Sequence, residues 1–303
     1  MAAAVIFVAV FAGLFGLAIG SFLNVVAYRV PAGISLLRES RCPGCNASIR
    51  WYQNIPVASW LALRRRCASC STPISARYPL VEAATAVLFA GVAWGVAAGR
   101  PLDARPVDGA LWFGTAEFWG VLVMLLVFAS LSIALTLIDL DTKRLPNAIV
   151  LPGWAAIVIL LLITTVLSGM FPAAAGELSA SPGRASASGE IDWWPFLRAL
   201  IGGAALYVFY FVVRVISPRG MGGGDVKLAG LVGTVLGWFG WGALAVGAFA
   251  AFLLGGVFGI CLMLLNRAKR KTAIPFGPWI LAGAWVGILI GEPVGRWYLG
   301  LYS

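Results

Sequence analysis

Eight stretches of this chain are too long and too continuously apolar to belong anywhere but in a lipid bilayer. They run at about residues 5–28, 80–99, 117–138, 148–171, 194–216, 226–241, 243–265 and 277–292. Each lies near the ~20 residues that a helix needs to cross a bilayer, and the sixth and seventh nearly touch. In lipid only helices and closed barrels pair every backbone N–H and C=O, and apolar segments of this length give helices. Only 11% of the 303 residues are charged, against about 25% in soluble domains. The expectation is an all-α polytopic membrane protein with about eight transmembrane helices. Residues 2–28 lack a basic leading region and run straight into an ordered motif, so the first segment is read as a retained helix and not as a cleaved signal peptide.

Charge placement sets the expected orientation. Arg29, Arg38, Arg41, Arg50, Arg64, Arg65, Arg66 and Arg77 crowd the first loop and its flanks. Lys143 and Arg144, then Arg214, Arg219 and Lys227, then Arg267, Lys269, Arg270 and Lys271 mark three further loops. The opposite loops and their flanks hold Arg100, Arg105, Arg184, Arg198 and Arg296. By the positive-inside rule the basic loops are cytoplasmic and both termini lie outside. The net charge of +10 follows this topology and is not gathered on one face, which argues against nucleic acid as a partner. The chain is expected to divide into a first helix (1–28), a polar cytoplasmic loop domain (29–79) and a seven-helix membrane core (80–303). An Ala/Ser/Gly/Pro-rich outside loop at 172–192 should be flexible.

The loop domain carries Cys42-x-x-Cys45 and, after 21 intervening residues, Cys67-x-x-Cys70. Paired thiolates at this spacing suit tetrahedral zinc. The chain has no histidine, so such a site would have four thiolate ligands and no open coordination position, and it would fold the loop without doing chemistry. Reduced unligated thiols or a redox pair are the alternatives, a lasting disulfide being rare in the cytoplasm. Cys261, alone in an apolar helix, is read as packing.

Two acids stand at the cytoplasmic edge of the apolar segments: Asp139 in "TLIDLDTKRLPN", ending the third, and Asp225 in "GMGGGDVKL", beginning the sixth. Acids at this depth are costly and mark functional positions. Topology brings both to one membrane level. Without histidine, Ser-His and Cys-His schemes are excluded. Two aspartates can share a proton, the ionised one activating water while the neutral one polarises a carbonyl and later protonates an amine, which is peptide hydrolysis. An ion or proton relay is the other use of such a pair. The run Gly220, Gly222, Gly223 and Gly224 is expected to permit positive φ and to leave room beside Asp225. Helix dipoles would make Asp225, at a helix N-terminus, the base and Asp139, at a C-terminus, the protonated partner. Asp141, two positions on, is expected to be a loop acid pointing elsewhere.

"GSFLNVVAYRVP" (Gly20–Pro31), the two C-x-x-C pairs, "QNIPVASWLALRRRC", "RYPLVEAAT", "IDLDTKRLPN", "GGGDVKL" and "IPFGPW", in this order and across nearly the whole chain, resemble the prepilin peptidases, or type IV leader peptidases. The resemblance implies an enzyme of the bacterial inner membrane. Such enzymes cut the short basic leader of prepilins and pseudopilins after a glycine at the cytoplasmic face, and many then methylate the new N-terminal amine with S-adenosylmethionine. It implies Asp139 and Asp225 as the catalytic pair and Cys42, Cys45, Cys67 and Cys70 as the family's cysteine quartet. It further implies service to type IV pilus or type II secretion machinery. Gly20, Asn24, Arg77 and Glu82, with Gly222 and Gly224 beside the second acid, are candidates for the methyl-donor or substrate sites. The family commonly has Leu-Pro-Asp where this chain has Leu145-Pro146-Asn147, and glycine is frequent between the arginines of "LRRRC". Other readings are a peptidase without methyl transfer, a catalytically dead scaffold, and an acid-lined transporter, the last of which should show paired repeats and broken midplane helices.

Overall fold

The computed structural model describes residues 2–99, 115–171, 191–218, 221–265 and 275–301. Most of the loop expected to be flexible at 172–192 lies outside these residues, as does Gly220. The helices are α1 (Ala2–Arg29), a short α2 (Ala58–Ala62), α3 (Arg77–Ala97), α4 (Ala116–Thr142), α5 (Asn147–Met170), α6 (Trp194–Ile216), α7 (Gly223–Phe239), α8 (Trp241–Leu264) and α9 (Gly277–Gly300), with a 3₁₀ turn at Trp51–Asn54. No strand is formed among the described residues.

Seven of these helices (α1, α3, α4, α5, α6, α8 and α9) are long and apolar enough to cross a membrane. The eighth expected span exists as α7, but it is short. Its 17 residues rise roughly 25 Å, and every residue from Leu228 to Trp238 is buried. It touches α5, α6, α8 and α9, so α7 is a core element of the bundle. Several helices outrun their apolar segments. α4 continues to Thr142, which puts Asp141 on the helix and not in a loop. The hydropathy of a segment records its immersion in lipid, whereas the hydrogen-bonded ladder carries on into the interface.

Small residues set the helix pairing. A Cβ on Gly16 would meet the Ala86 Cα at 2.9 Å, drawing α1 against α3. A Cβ on Gly202 would meet the Gly233 carbonyl oxygen at 2.6 Å, joining α6 to α7, and one on Gly283 would meet the Ala251 N at 2.5 Å, joining α9 to α8. Lipid offers no hydrophobic drive between helices, so this backbone approach and the van der Waals contact it allows hold the pairs together. α4 occupies the middle, touching α1, α3, α5 and α9 through fully buried Phe118, Met124, Phe128 and Leu135. On the side away from Asp225, Arg198 donates to the carbonyls of Gly237 (2.7 Å) and Trp238 (2.6 Å) at the end of α7. Glu292 accepts the first N–H groups of α8 from Gly242 (2.9 Å) and Ala243 (3.3 Å). Both are placed as helix dipoles favour.

Candidate active site

Asp139 occupies the last turn of α4. Lys143 then takes a left-handed conformation (φ 53°) and donates its N–H to the Asp139 carbonyl at 2.8 Å, which closes the helix and starts the short turn into α5. The Asp139 side chain is buried, 4% of the residue being accessible. Its Oδ2 accepts the N–H of Gly277, the first residue of α9, at 3.0 Å. A Cβ on Gly277 would stand 2.7 Å from that oxygen, so only glycine lets the backbone come this close.

Asp225 is the third residue of α7, and its Oδ2 accepts the Gly222 N–H at 2.9 Å. Asp225 is therefore not the capping residue; its carboxylate reaches back to Gly222, which is. The glycines beside it do not use positive φ as expected. Gly222 is extended (φ −76°, ψ 156°), and Gly223 and Gly224 already belong to the helix. Close approach is the reason for glycine here. A Cβ on Gly224 would meet the Leu145 Cβ at 2.7 Å, and one on Gly223 would meet an Arg214 guanidinium nitrogen at 2.5 Å.

Leu145 thereby locates the two acids relative to each other. Its Cβ lies against Gly224, beside Asp225, and its Cδ1 lies 3.4 Å from the Cβ position of Gly277, beside Asp139. The Asp225 carboxylate is within electrostatic reach of both Asp139 and Tyr210. Tyr210 is 1% accessible, and its ring packs on Phe252 (5.4 Å between centroids) and Phe276 (6.4 Å). Lys227 donates to the Asn147 Oδ1 at 2.9 Å, tying the start of α7 to the start of α5. Sequence inspection gave no role to Gly277, Tyr210 or Leu145. The signals were Gly277's place inside "IPFGPW" and Leu145's inside "IDLDTKRLPN". The expected division of roles from helix ends also needs amendment: Asp139 ends one helix but faces the N-terminus of another, so α9 offsets the dipole of α4.

Asp141 turns away from this pair, as its spacing requires. It receives a two-pronged contact from Arg77 of α3, at 3.0 and 2.6 Å. Arg77 is therefore separate from Gly20, Asn24 and Glu82, which meet one another where α1 crosses α3. A Cβ on Gly20 would be 2.7 Å from the Glu82 Cα, and the Asn24 amide donates to the Gly20 and Tyr78 carbonyls, both at 3.2 Å. Packing accounts for these two residues. Glu82 is buried and accepts the Val57 N–H at 2.7 Å. Val57 has φ 59° and ψ −48°, a costly backbone state for a β-branched residue. Arg29 is more than a charge at the membrane edge: it is buried and donates to the carbonyls of Ser35, Leu36, Arg38 and Glu39, folding the entry to the cysteine loop around its guanidinium.

The four cysteines converge into a cluster that can hold a metal, their Sγ atoms all within 4.8 Å of one another. Two matching turns build it, although no internal repeat is evident in the sequence. In each, the first cysteine exchanges backbone hydrogen bonds with residues four and five places on: Asn46 N–H to Cys42 O and Cys42 N–H to Ala47 O, then Ser71 N–H to Cys67 O and Cys67 N–H to Thr72 O. Asn46 (φ 57°) and Ser71 (φ 59°) are left-handed at equivalent places. The N–H groups of Cys45 and Gly44 hold the Cys42 thiol below its ordinary pKa, and the Thr72 hydroxyl draws Cys70 down to about 6. These two favour the thiolate, the form that ligates metals, whereas Cys45, although the Ala47 N–H lowers it, is pushed up to about 11 by the neighbouring Cys70 and Cys42.

Comparison with known proteins agrees with this geometry. Residues 14–96 match the bacterial peptidase A24 N-terminal domain and residues 126–262 match the type IV leader peptidase family. The chain is 35% identical to the prepilin leader peptidase/N-methyltransferase of Aeromonas hydrophila, over 94% of this chain and 92% of that protein. It is 32% identical to the protein of the same name from Pseudomonas aeruginosa, over 94% and 91%, and 32% identical to that of Neisseria gonorrhoeae, over 95% and 93%. No solved structure matches. Two acids whose neighbouring glycines both pack by Leu145, a four-cysteine cluster between the first two spans and likeness over nearly the whole length place this chain in the type IV leader peptidase family.

Proposed function

We propose that the chain is a membrane aspartic endopeptidase that removes the basic leader of prepilins or pseudopilins after glycine, with Asp139 and Asp225 as the catalytic pair, and that it then methylates the new N-terminus. The observation that carries this is the convergence of two acids 86 positions apart. Each accepts a backbone N–H at the N-terminus of a helix, and Leu145 touches the glycines beside both. One ionised carboxylate takes a proton from water as its oxygen attacks the scissile carbonyl carbon. The protonated partner donates to the carbonyl oxygen. As the tetrahedral intermediate collapses, a proton passes to the amide nitrogen, the C–N bond breaks and the mature amine leaves. The pair titrates as a unit, so cleavage should show a bell-shaped pH profile; a single carboxylate limb would count against a shared proton.

The basic loops support a cytoplasmic-facing centre, and we read the membrane as the bacterial inner membrane. The cysteine cluster fits zinc. Zn–S bonds of ~2.3 Å in a tetrahedron separate sulfurs by roughly 3.8 Å, and the Cys42 and Cys70 Sγ atoms stand 3.7 Å apart. A four-thiolate zinc would hold the two turns together without entering the reaction. S-adenosylmethionine, as methyl donor, would supply an electrophilic methyl group to the amine. Gly20 and Asn24 are taken up by packing and Arg77 by Asp141, so they form no cradle for that cofactor; Glu82 is the candidate to meet a cationic group. Gly222 and Gly224 belong with the carboxylate pair. The bilayer surrounds the enzyme, and a pilus or type II secretion assembly would use its product.

The test follows substrate mass, using purified enzyme in lipid, a prepilin whose leader ends in glycine, and S-adenosylmethionine. The expected outcome is loss of the leader plus one methyl group for the native chain. Asp139→Asn and Asp225→Asn should each lose cleavage by at least ~10²-fold with helix content retained. Normal cleavage by either variant would sink the pair. Cleavage without the methyl would leave a peptidase alone.

A further inference from the structure

A groove of about 640 Å³ runs along the outside of the bundle between α3, α4 and α9. Leu80, Ala84 and Leu88 form one wall, Ile133 and Leu137 the floor, and Leu281 with Trp285 the other wall. Its cytoplasmic end reaches the candidate catalytic centre. Pro278 lines it directly after Gly277, the residue that donates to Asp139. Thr136 lines it one helical turn before Asp139, on the same face of α4. Arg77 also lines that end, its guanidinium held by Asp141. A smaller concavity lies on α5 alone, at Leu151, Trp154, Ala155, Val158 and Ile159.

We infer that this groove seats the apolar helix that follows the scissile bond of the substrate. The inference rests on the peptidase reading: a prepilin substrate cut between Asp139 and Asp225 carries an apolar helix after the cut, and that helix must leave their level for the bilayer. The groove is a concave apolar track that begins beside Asp139. From Arg77 to Leu88 it extends roughly 16 Å, enough for three turns of a substrate helix. The Trp285 N–H holds Ser132 Oγ at 3.3 Å, so the polar atom on the floor is partnered and the track stays apolar. Ala84 is exposed and Ala282 half-buried, and their small side chains keep the walls apart.

Two measurements test this. A photo-crosslinking benzoylphenylalanine at position 84 or 282 should capture the apolar segment of an uncut precursor. The same probe at Val257, on the exposed face of α8, should capture lipid. Separately, Ala84→Trp and Ala282→Trp should fill the groove. Each should lower, at least tenfold, the ratio of kcat/KM for full-length precursor to that for a soluble peptide ending a few residues past the cut. Val257→Trp should leave the ratio alone. Capture of lipid only at 84 and 282, or an unchanged ratio, overturns the groove as the helix seat. Failure of the peptidase reading would look different: the native chain would cut neither substrate, while the crosslink would still report where the apolar segment lies.

Discussion

Leu145 shows how a residue with no chemistry can govern two that have it. Its side chain lies against Gly224 on one side and near Gly277 on the other, so the separation of the carboxylates depends on the bare backbone at both positions. Gly224→Ala places a methyl 2.7 Å from the Leu145 Cβ and must push α7 away from the α4–α5 turn. Misplacement of reacting groups by about 1 Å can cost ~10²-fold, and a loss of that order in kcat with little change in melting temperature is expected. Gly222→Ala, where the nearest atom is the Asp225 Oδ2 at 3.2 Å, should cost less. Asp141 gives the opposite forecast. It is about half exposed and paired with Arg77 away from the centre, and exposed ion pairs contribute ~0–1 kcal/mol. Asp141→Asn should retain cleavage within a few fold, which a parallel assay against Asp139→Asn will decide.

At the scale of elements, the membrane helices were legible because immersion in lipid writes itself as length and continuous apolarity, and the acids because their cost at such depth demands a use. What surrounds the acids was not legible. Gly277 lies 138 positions from Asp139, and the peptide N–H it contributes is common to every non-proline residue. Tyr210 sits in an unbroken apolar helix, where only its neighbours distinguish it. The glycines of α7 were visible, but their reason was not: a left-handed turn and a close crossing leave the same letter in the sequence. The paired cysteine turns were hidden similarly, since "RCPGCNAS" and "RCASCSTP" share few letters beyond the cysteines and repeat in backbone shape. If those turns owe their fold to zinc, Cys42→Ser should abolish stoichiometric metal by elemental analysis. It should also open the Arg64–Arg66 segment to trypsin while the helix signal of the membrane bundle persists.

For the whole molecule, α4 is the axis on which everything else is hung. It meets α3 at the Arg77–Asp141 pair, α9 at Gly277 and α5 through a four-residue turn. The cysteine domain reaches the same neighbourhood through Val57 and Glu82 on α3. Since α3 meets α4 through one exposed ion pair at that level, Arg77→Ala should leave both metal content and melting temperature nearly unchanged. A loss of zinc on that substitution would show the two regions to be more tightly joined. The partnership between Asp139 and Gly277 also has a meaning in time. α4 and α7 emerge from the ribosome well before α9, so a nascent chain carries both acids while the amide that holds Asp139 has yet to be made. A leader peptidase assembled in this order cannot act while its own chain is still short of α9. On the proposed pairing, the site is unarmed until α9 has been made.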